Sequence, residues 1–552
     1  MKQIINRAGL WVTPLVFLAV FFFFPLFSVL VLAGQGTDEV AIRWSQITRP
    51  LGFTLYQALL STLLTLLVGL PAAGLFSRFS FRGKTILRVL STLPFVMPTV
   101  VVAAGFNALI GPRGWLNLGL MSLFDLSTPP IHLLNTLGAI LLAHVFYNTS
   151  VVIRIVGSAW VQLDSRTEQA ARCLGASPLR TWWEVTLPLL KPAIINAALL
   201  VFLFDFTSFG VILLLGGPQF ATLEVEIYLQ TMQMLNLPLA GILSMIQLGF
   251  TLLIVSFSGW VGRGKTIPLT PRLHGEGTHS AKTNVERVFV ISMSVLLLIL
   301  LFSPLAALAL RSVYSPGELG LTTTYFQELF INRRSNLFYV PPIEAGLNSL
   351  VVAVTAVLIA LTVGIPAAVA LAHPHKGERW LGLMLMLPLG ASAVTLGLGF
   401  IVAFNHPPLD VSHFPLLLPI AHSLVALPFV VRAVQPALAS VPASLRQAAS
   451  VLGAKPLRAW WEVDAQVAMR ALLVGALYAF TISMGEFGAT SFLARPETPT
   501  LPLAIYRFLS QPGDLNYGQA MAMATLLMVV CAAGLFVMEK LENGTVNPVK
   551  NA

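Results

Sequence analysis

The sequence predicts an all-α polytopic membrane protein, with about 12 transmembrane helices arranged as two parallel six-helix repeats. Three observations carry that prediction. The composition is far too apolar for a soluble chain, the apolar runs have bilayer length, and a 12-residue segment occurs twice almost unchanged.

Of 552 residues, 56% are hydrophobic and 10% charged, against about 25% charged in ordinary soluble domains. The apolar runs lie near 10–33, 53–77, 86–110, 134–158, 193–215, 239–261, 286–310, 346–371, 380–404, 414–436, 468–492 and 517–538. Each is close to the roughly 20 residues that cross a bilayer. The first follows Lys2 and Arg7 like a signal sequence, but it exceeds a typical h-region and lacks a small-x-small cleavage site, so retention is expected. With both termini cytoplasmic, 25 of the 33 Lys and Arg residues lie in or beside cytoplasmic loops, the bias that the positive-inside rule describes. The net charge of +10 then needs no nucleic acid partner, since basic loops held on the cytoplasmic side of the lipid bilayer account for the excess. Cys173 falls in a loop and Cys531 in the last run, so neither a disulfide nor a zinc cluster is expected.

The repeat organises the rest. LGASPLRTWWEV at 174–185 matches LGAKPLRAWWEV at 452–463 at an offset of 278, and the same offset pairs His144 with His422, Arg154 with Arg432, Phe209-Gly210 with Phe487-Gly488 and Tyr228 with Tyr506. GLPAAG at 69–74 answers GIPAAV at 364–369 at an offset of 295, so the first half is longer by about 17 residues, most simply in the external loop around 111–133. Six spans per copy is an even number, so both copies enter the membrane in the same orientation, related by an axis along its normal. The expected division is 1–262 and 286–552 for the two repeats, with 263–285 as a cytoplasmic linker.

Each copy of the 12-mer lies in the longest cytoplasmic loop of its half, beginning near Asp164 or Pro442. Gln169-Ala170-Ala171 and Gln447-Ala448-Ala449 fit a short helix with small side chains; Gly175 and Gly453 permit a sharp turn; Pro178 and Pro456 suit the first turn of a second short helix. The pairs Trp182-Trp183 and Trp460-Trp461 can anchor at the membrane interface or pack on a partner. One such segment could simply lie on the bilayer, but a repeated one favours a paired docking surface.

These loops resemble the signature of the membrane subunits of binding-protein-dependent ABC importers: E-A-A, three residues, Gly, nine residues, Ile-x-Leu-Pro. The first copy keeps every spacing with Gln169-Ala170-Ala171, Gly175 and Val185-Thr186-Leu187-Pro188. The second has Gln447-Ala448-Ala449, Gly453 and Val463, with Ala465-Gln466 in place of Leu-Pro, so Leu187-Pro188 is expected to terminate the first wedge where the second continues as helix. The fused two-half layout is similar to the ferric-iron and thiamine permeases, as are the stretches 204–228 and 485–509. The resemblance implies a type I importer permease fold in a bacterial or archaeal plasma (inner) membrane. It also implies two copies of a separate ABC ATPase subunit on the two loops, an extracytoplasmic substrate-binding protein, and ferric iron ahead of thiamine as cargo.

Inside the apolar runs, Asp205 and Glu486 stand out, because an intramembrane carboxylate is a functional candidate by default. Two readings are open: residues of a cation pathway, or partners that cap a broken helix beside Gly210 or Gly488. His144 and His422 read as interhelical hydrogen-bonders. His406, Asp410 and His413 read as a turn beside Pro407-Pro408, and no metal site or cofactor is assigned. GWVGRGKT at 259–266 fits G-x-x-x-x-G-K-[ST], yet it follows a long apolar run and precedes Pro268 and Pro271. A phosphate loop needs a strand before it and a helix after it. Nucleotide chemistry is therefore expected on a partner. A secondary transporter driven by an ion gradient would leave the paired loops unexplained, and a membrane enzyme would need a clustered catalytic set that the sequence lacks.

Overall fold

The computed structural model describes residues 2–39, 43–217, 219–262, 278–315, 320–331, 340–375, 378–405, 410 and 413–543. Among the described residues, ten helices are long and apolar enough to cross a membrane, and two bent helix pairs raise the number of spans to as many as 12. The expected all-α architecture is the one observed; among the described residues, the only sheet is a two-residue hairpin of Tyr314–Ser315 with Gly320–Leu321.

Four of the expected spans are interrupted. The third, expected at 86–110, is Lys84–Val96 followed by Thr99–Phe124, bent by 114°. A proline disfavours helical backbone in the residue before it, and here Met97 (ψ 133°) and Pro98 (ψ 141°) are both extended. The ninth, expected at 380–404, breaks by 96° between Trp380–Gly390 and Ala393–Ala403, where the Ser392 hydroxyl accepts the Thr395 N–H at 2.9 Å and starts the second piece. The fifth and eleventh end at Phe206 and Gly485, short of 215 and 492, and resume as Gly210–Leu215 and Gly488–Leu493.

Within each half, the second and fourth spans pack along much of their length, Ser45–Arg78 on Leu137–Val161 and Pro342–Ala372 on Leu417–Ala439. Equivalent glycines make both contacts: a Cβ on Gly69 would lie 2.6 Å from Val152, and one on Gly364 would lie 2.9 Å from Val430. Apolar packing between membrane helices has no water to expel, so close backbone approach supplies the attraction.

The halves interlock as well. The first span of each crosses to the other: Pro25 sits against Gly399, and Pro304 sits against Gly105, where an added Cβ would meet the Pro304 carbonyl at 2.8 Å. The Leu237–Gly262 helix closes the first half and Asn284–Ser312 opens the second; residues 263–277 of the expected linker lie outside the described residues.

Gly69→Val and Gly364→Val are each expected to destabilise the protein by about 1–3 kcal/mol through overpacking. Gly52→Val, where nothing lies within 4 Å of an added Cβ, serves as the tolerant control. Thermal unfolding in detergent measures the difference.

Candidate functional site

Each repeated loop folds as two short helices joined by a left-handed turn. In the first, the Asp164 carboxylate accepts the Arg166 N–H at 3.0 Å and opens the helix Ser165–Cys173, which carries Gln169, Ala170 and Ala171. The Ala176 N–H then donates to the Ala171 carbonyl and the Gly175 N–H to that of Arg172, both at 3.0 Å, with Gly175 at φ 88°. This paired bonding closes a helix C-terminus and favours glycine. Pro178 starts the second short helix, Pro178–Thr181, behind the cap of Ser177. The second loop repeats the design: Ala443–Val451 with Gln447, Ala448 and Ala449, the same bond pair at Ala454 and Gly453, φ 81° at Gly453, and the helix Pro456–Ala459.

Leu187-Pro188 do not terminate the first wedge. Both loops enter their spans through a π turn, Trp182–Thr186 and Trp460–Asp464, and the helices run on unbroken as Pro178–Phe206 and Trp460–Gly485. The wider turn leaves room for a proline ring that has no N–H to give. The backbone difference expected from Leu-Pro against Ala-Gln is therefore absent.

The difference lies in the polar tethers instead. In the first loop the Glu168 carboxylate takes both the Arg78 guanidinium and, at 2.6 Å, the Thr186 hydroxyl. In the second, positions equivalent to Glu168 and Thr186 are Arg446 and Asp464, joined by Arg446 Nε to Asp464 Oδ1 at 2.7 Å. The sign on the short helix is reversed while the tether is kept. Sequence reasoning missed these four residues, although the 278-residue offset aligns both pairs. A second ion pair is conserved in sign: Arg180 with Glu184 at 2.9 Å, and Arg458 with Glu462 at 2.8 Å.

The tethers leave an apolar crest outward. Leu174 is 90% exposed and Leu452 87%, with Leu179, Trp183, Val451 and Trp461 also exposed, while Trp182 is held back by stacking on Trp160 at 5.0 Å. Crests of this kind on a membrane protein's soluble loops mark contact surfaces.

At the far ends of the same spans the breaks meet on the axis between the halves. Phe209 stacks on its equivalent Phe487, ring centroids 5.6 Å apart, and each packs against its own tyrosine, Tyr228 or Tyr506. Thr54 and Ser349, equivalent residues, accept the Leu223 and Leu501 N–H groups at 2.9 and 2.7 Å and fix the helices that carry those tyrosines. On the loop side of the stack is a cavity of about 410 Å³, and on the other side one of about 500 Å³ lined by Asn107, His132, Asn135, Tyr506 and Ser510.

Asp205 and Glu486 are buried beside these breaks, 1% and 8% exposed, and neither lines the two cavities. Asn148 Nδ2 donates to Asp205 Oδ1 at 2.7 Å, and His144 Nδ1 lies 3.3 Å from the same oxygen. Glu486 accepts the Ala489 and Thr490 N–H groups, each at 3.0 Å, so it caps Gly488–Leu493, and His422 Nε2 lies 3.2 Å from it. His144 and His422 also bridge hydroxyls, Ser61 and Ser208 in one half, Ser483 and Thr490 in the other. The repeat exchanges acid and serine: Asp205 and Ser208 correspond to Ser483 and Glu486.

Asp410 Oδ2 and His413 Nδ1 bond at 2.6 Å within one turn, and His406 lies outside the described residues. Gly259–Gly262 of GWVGRGKT continue the preceding helix, so no strand leads into it; Arg263–Thr266 lie outside the described residues.

Sequence comparison places the inner membrane component of binding-protein-dependent transport systems on this chain twice, over residues 65–263 and 360–545. The chain belongs to that family. Both matched segments contain a loop, its tether and the following span. This permease is 26% identical to the probable ABC transporter permease protein y4fN of Sinorhizobium fredii over 92% of its own length and 90% of the relative's. It is 26% identical to the thiamine transport system permease protein ThiP of Escherichia coli, covering 91% of each chain. With the ferric transport system permease protein FbpB of Actinobacillus pleuropneumoniae it shares 24% identity over 94% of its length and 76% of the relative's.

Because Glu486 caps the permease's Gly488–Leu493 helix, Glu486→Ala is expected to cost about 0.5–2 kcal/mol. Glu486→Gln, which keeps an acceptor oxygen, should cost less. Thermal unfolding of both variants in detergent provides the comparison.

Proposed function

We propose that this chain is the membrane-spanning permease subunit of an ABC importer and forms the pathway for a small solute delivered by an extracytoplasmic binding protein. The observation that carries the reading is the pair of equivalent loops, each built to the same backbone pattern, each tethered to its own half, and each presenting an apolar crest. Two such surfaces suit two copies of one ATPase subunit. Gln169, Ala170, Ala171, Gly175, Pro178, Leu187 and Pro188, with Gln447, Ala448, Ala449, Gly453 and Pro456, form the coupling loops. The chain is not itself an enzyme in this reading, and its termini and loops lie on the cytoplasmic side of the inner membrane.

Mechanically, each loop runs without interruption into the span that ends at Phe206 or Gly485, next to the Phe209 and Phe487 stack. A push on a loop is thereby carried along a continuous helix to the aromatic contact between the halves. Nucleotide binding can shift the pathway only if the ATPase prefers one of its two conformations, and a helix joined to both loop and stack gives it that differential contact. Asp205 and Glu486 serve this pathway as the buried groups that hold the helix breaks. For cargo, the relatives named for thiamine and for ferric iron support a solute of one of those two classes.

Leu174→Asp together with Leu452→Asp should lower capture of the ATPase subunit by about 30-fold or more, as loss of two anchor side chains of roughly 1–2 kcal/mol each would require. Pull-down from detergent measures it, and undiminished capture would remove the basis for the docking assignment. The purified chain alone should bind no ATP, and Lys265→Ala should leave ATP-driven uptake in proteoliposomes unchanged; a collapse of uptake with intact assembly would reinstate the phosphate-loop motif.

A further inference from the structure

The loop-side cavity carries an unused signal. Its wall holds Arg154, Arg432 and Arg470, with Phe95, Phe429 and Tyr478, and among the described residues that line it there is no carboxylate. Arg154 and Arg432 are equivalent residues of the two repeats. Equivalent side chains can share one cavity only where that cavity straddles the axis relating the halves, which is also where Phe209 meets Phe487.

We propose that this cavity is a transit site for an anionic cargo, one bearing phosphate or carboxylate oxygens next to a flat or apolar body. The proposal rests on the permease reading and adds the substrate class to it. The planar guanidinium fork matches oxyanion geometry and keeps its charge at any working pH. Arginines that only satisfy the positive-inside rule point toward lipid headgroups, whereas this pair converges from two helices on a common space. Phe429 and Tyr478 stack with centroids 6.2 Å apart on one wall, offering a face for a ring. A volume of about 410 Å³ lies within the roughly 300–1,000 Å³ of small-molecule sites. A bare trivalent cation would meet repulsion here from the Arg154 and Arg432 guanidinium groups. Iron would pass this wall as an anionic complex, and a cationic vitamin would pass as its phosphorylated form.

The same oxyanion chemistry could come from a lipid headgroup, so the experiment separates the two sources. The full-length chain in phosphatidylcholine nanodiscs is titrated with inorganic pyrophosphate by calorimetry, as wild type and as Arg154→Gln/Arg432→Gln. Binding by wild type that weakens about 10-fold or more in the double variant, with Arg154→Lys/Arg432→Lys in between, supports the proposal. Absence of binding by wild type, or equal affinity in the Gln variant, overturns it. Pyrophosphate binding lost in nanodiscs containing phosphatidylglycerol assigns the arginines to lipid and also overturns it. If the double Gln variant fails to fold, single Arg432→Gln against wild type decides by the same criterion. The titration needs no ATPase subunit, so failure of the permease reading appears separately, as loss of ATPase capture by wild type.

Discussion

Backbone polar groups have no partner in hydrocarbon, so a helix may break inside a membrane only where protein covers the break. This protein breaks four spans and buries the breaks against one another. A Cβ on Gly485 would meet Pro98 at 2.9 Å, one on Gly210 would meet Thr99 at 2.4 Å, and one on Gly488 would meet Ala393 at 2.8 Å. Each of these contacts joins an interruption to another interruption, and the first joins one half to the other. The junction of breaks is therefore both the weakest part of the helical scaffold and the part on which the two halves agree.

From that junction the remaining features follow in order. Serine and threonine hydroxyls supply the bonds that the interrupted backbone lost, as at Thr54, Ser349 and Ser392. The Glu486 carboxylate does the same for the Ala489 and Thr490 N–H groups, while Asp205 is held by the Asn148 and His144 side chains. Phe209 and Phe487 stack where the halves meet, and the repeated loops lie at the opposite ends of the adjoining spans.

The two halves keep geometry and exchange chemistry. Glu168 and Thr186 became Arg446 and Asp464 without loss of the tether, and Asp205 with Ser208 became Ser483 with Glu486 without loss of the histidine contact. A polar contact within a pair can move from one position to the other as long as donor and acceptor still meet. Such exchanges are invisible to a comparison of residue identities, which is why the 12-mer stood out in the sequence and its tethers did not.

The sequence by itself determined the membrane class, the two six-span halves and the position of both loops. Apolar length sets spans and Gly, Pro and small residues set local turns, and all are properties of neighbouring residues. Gly175 and Gly453 could be read as turns because only local backbone geometry is at stake. The tertiary structure alone decided which spans break, since Pro98 ends a helix but Pro188, after a π turn, does not. It also decided that each half's first span crosses to the other, that Phe209 meets Phe487, and that Arg154 and Arg432 converge on one cavity. These are contacts between residues 199 or more positions apart, fixed by close packing between surfaces with no sequence proximity to announce them.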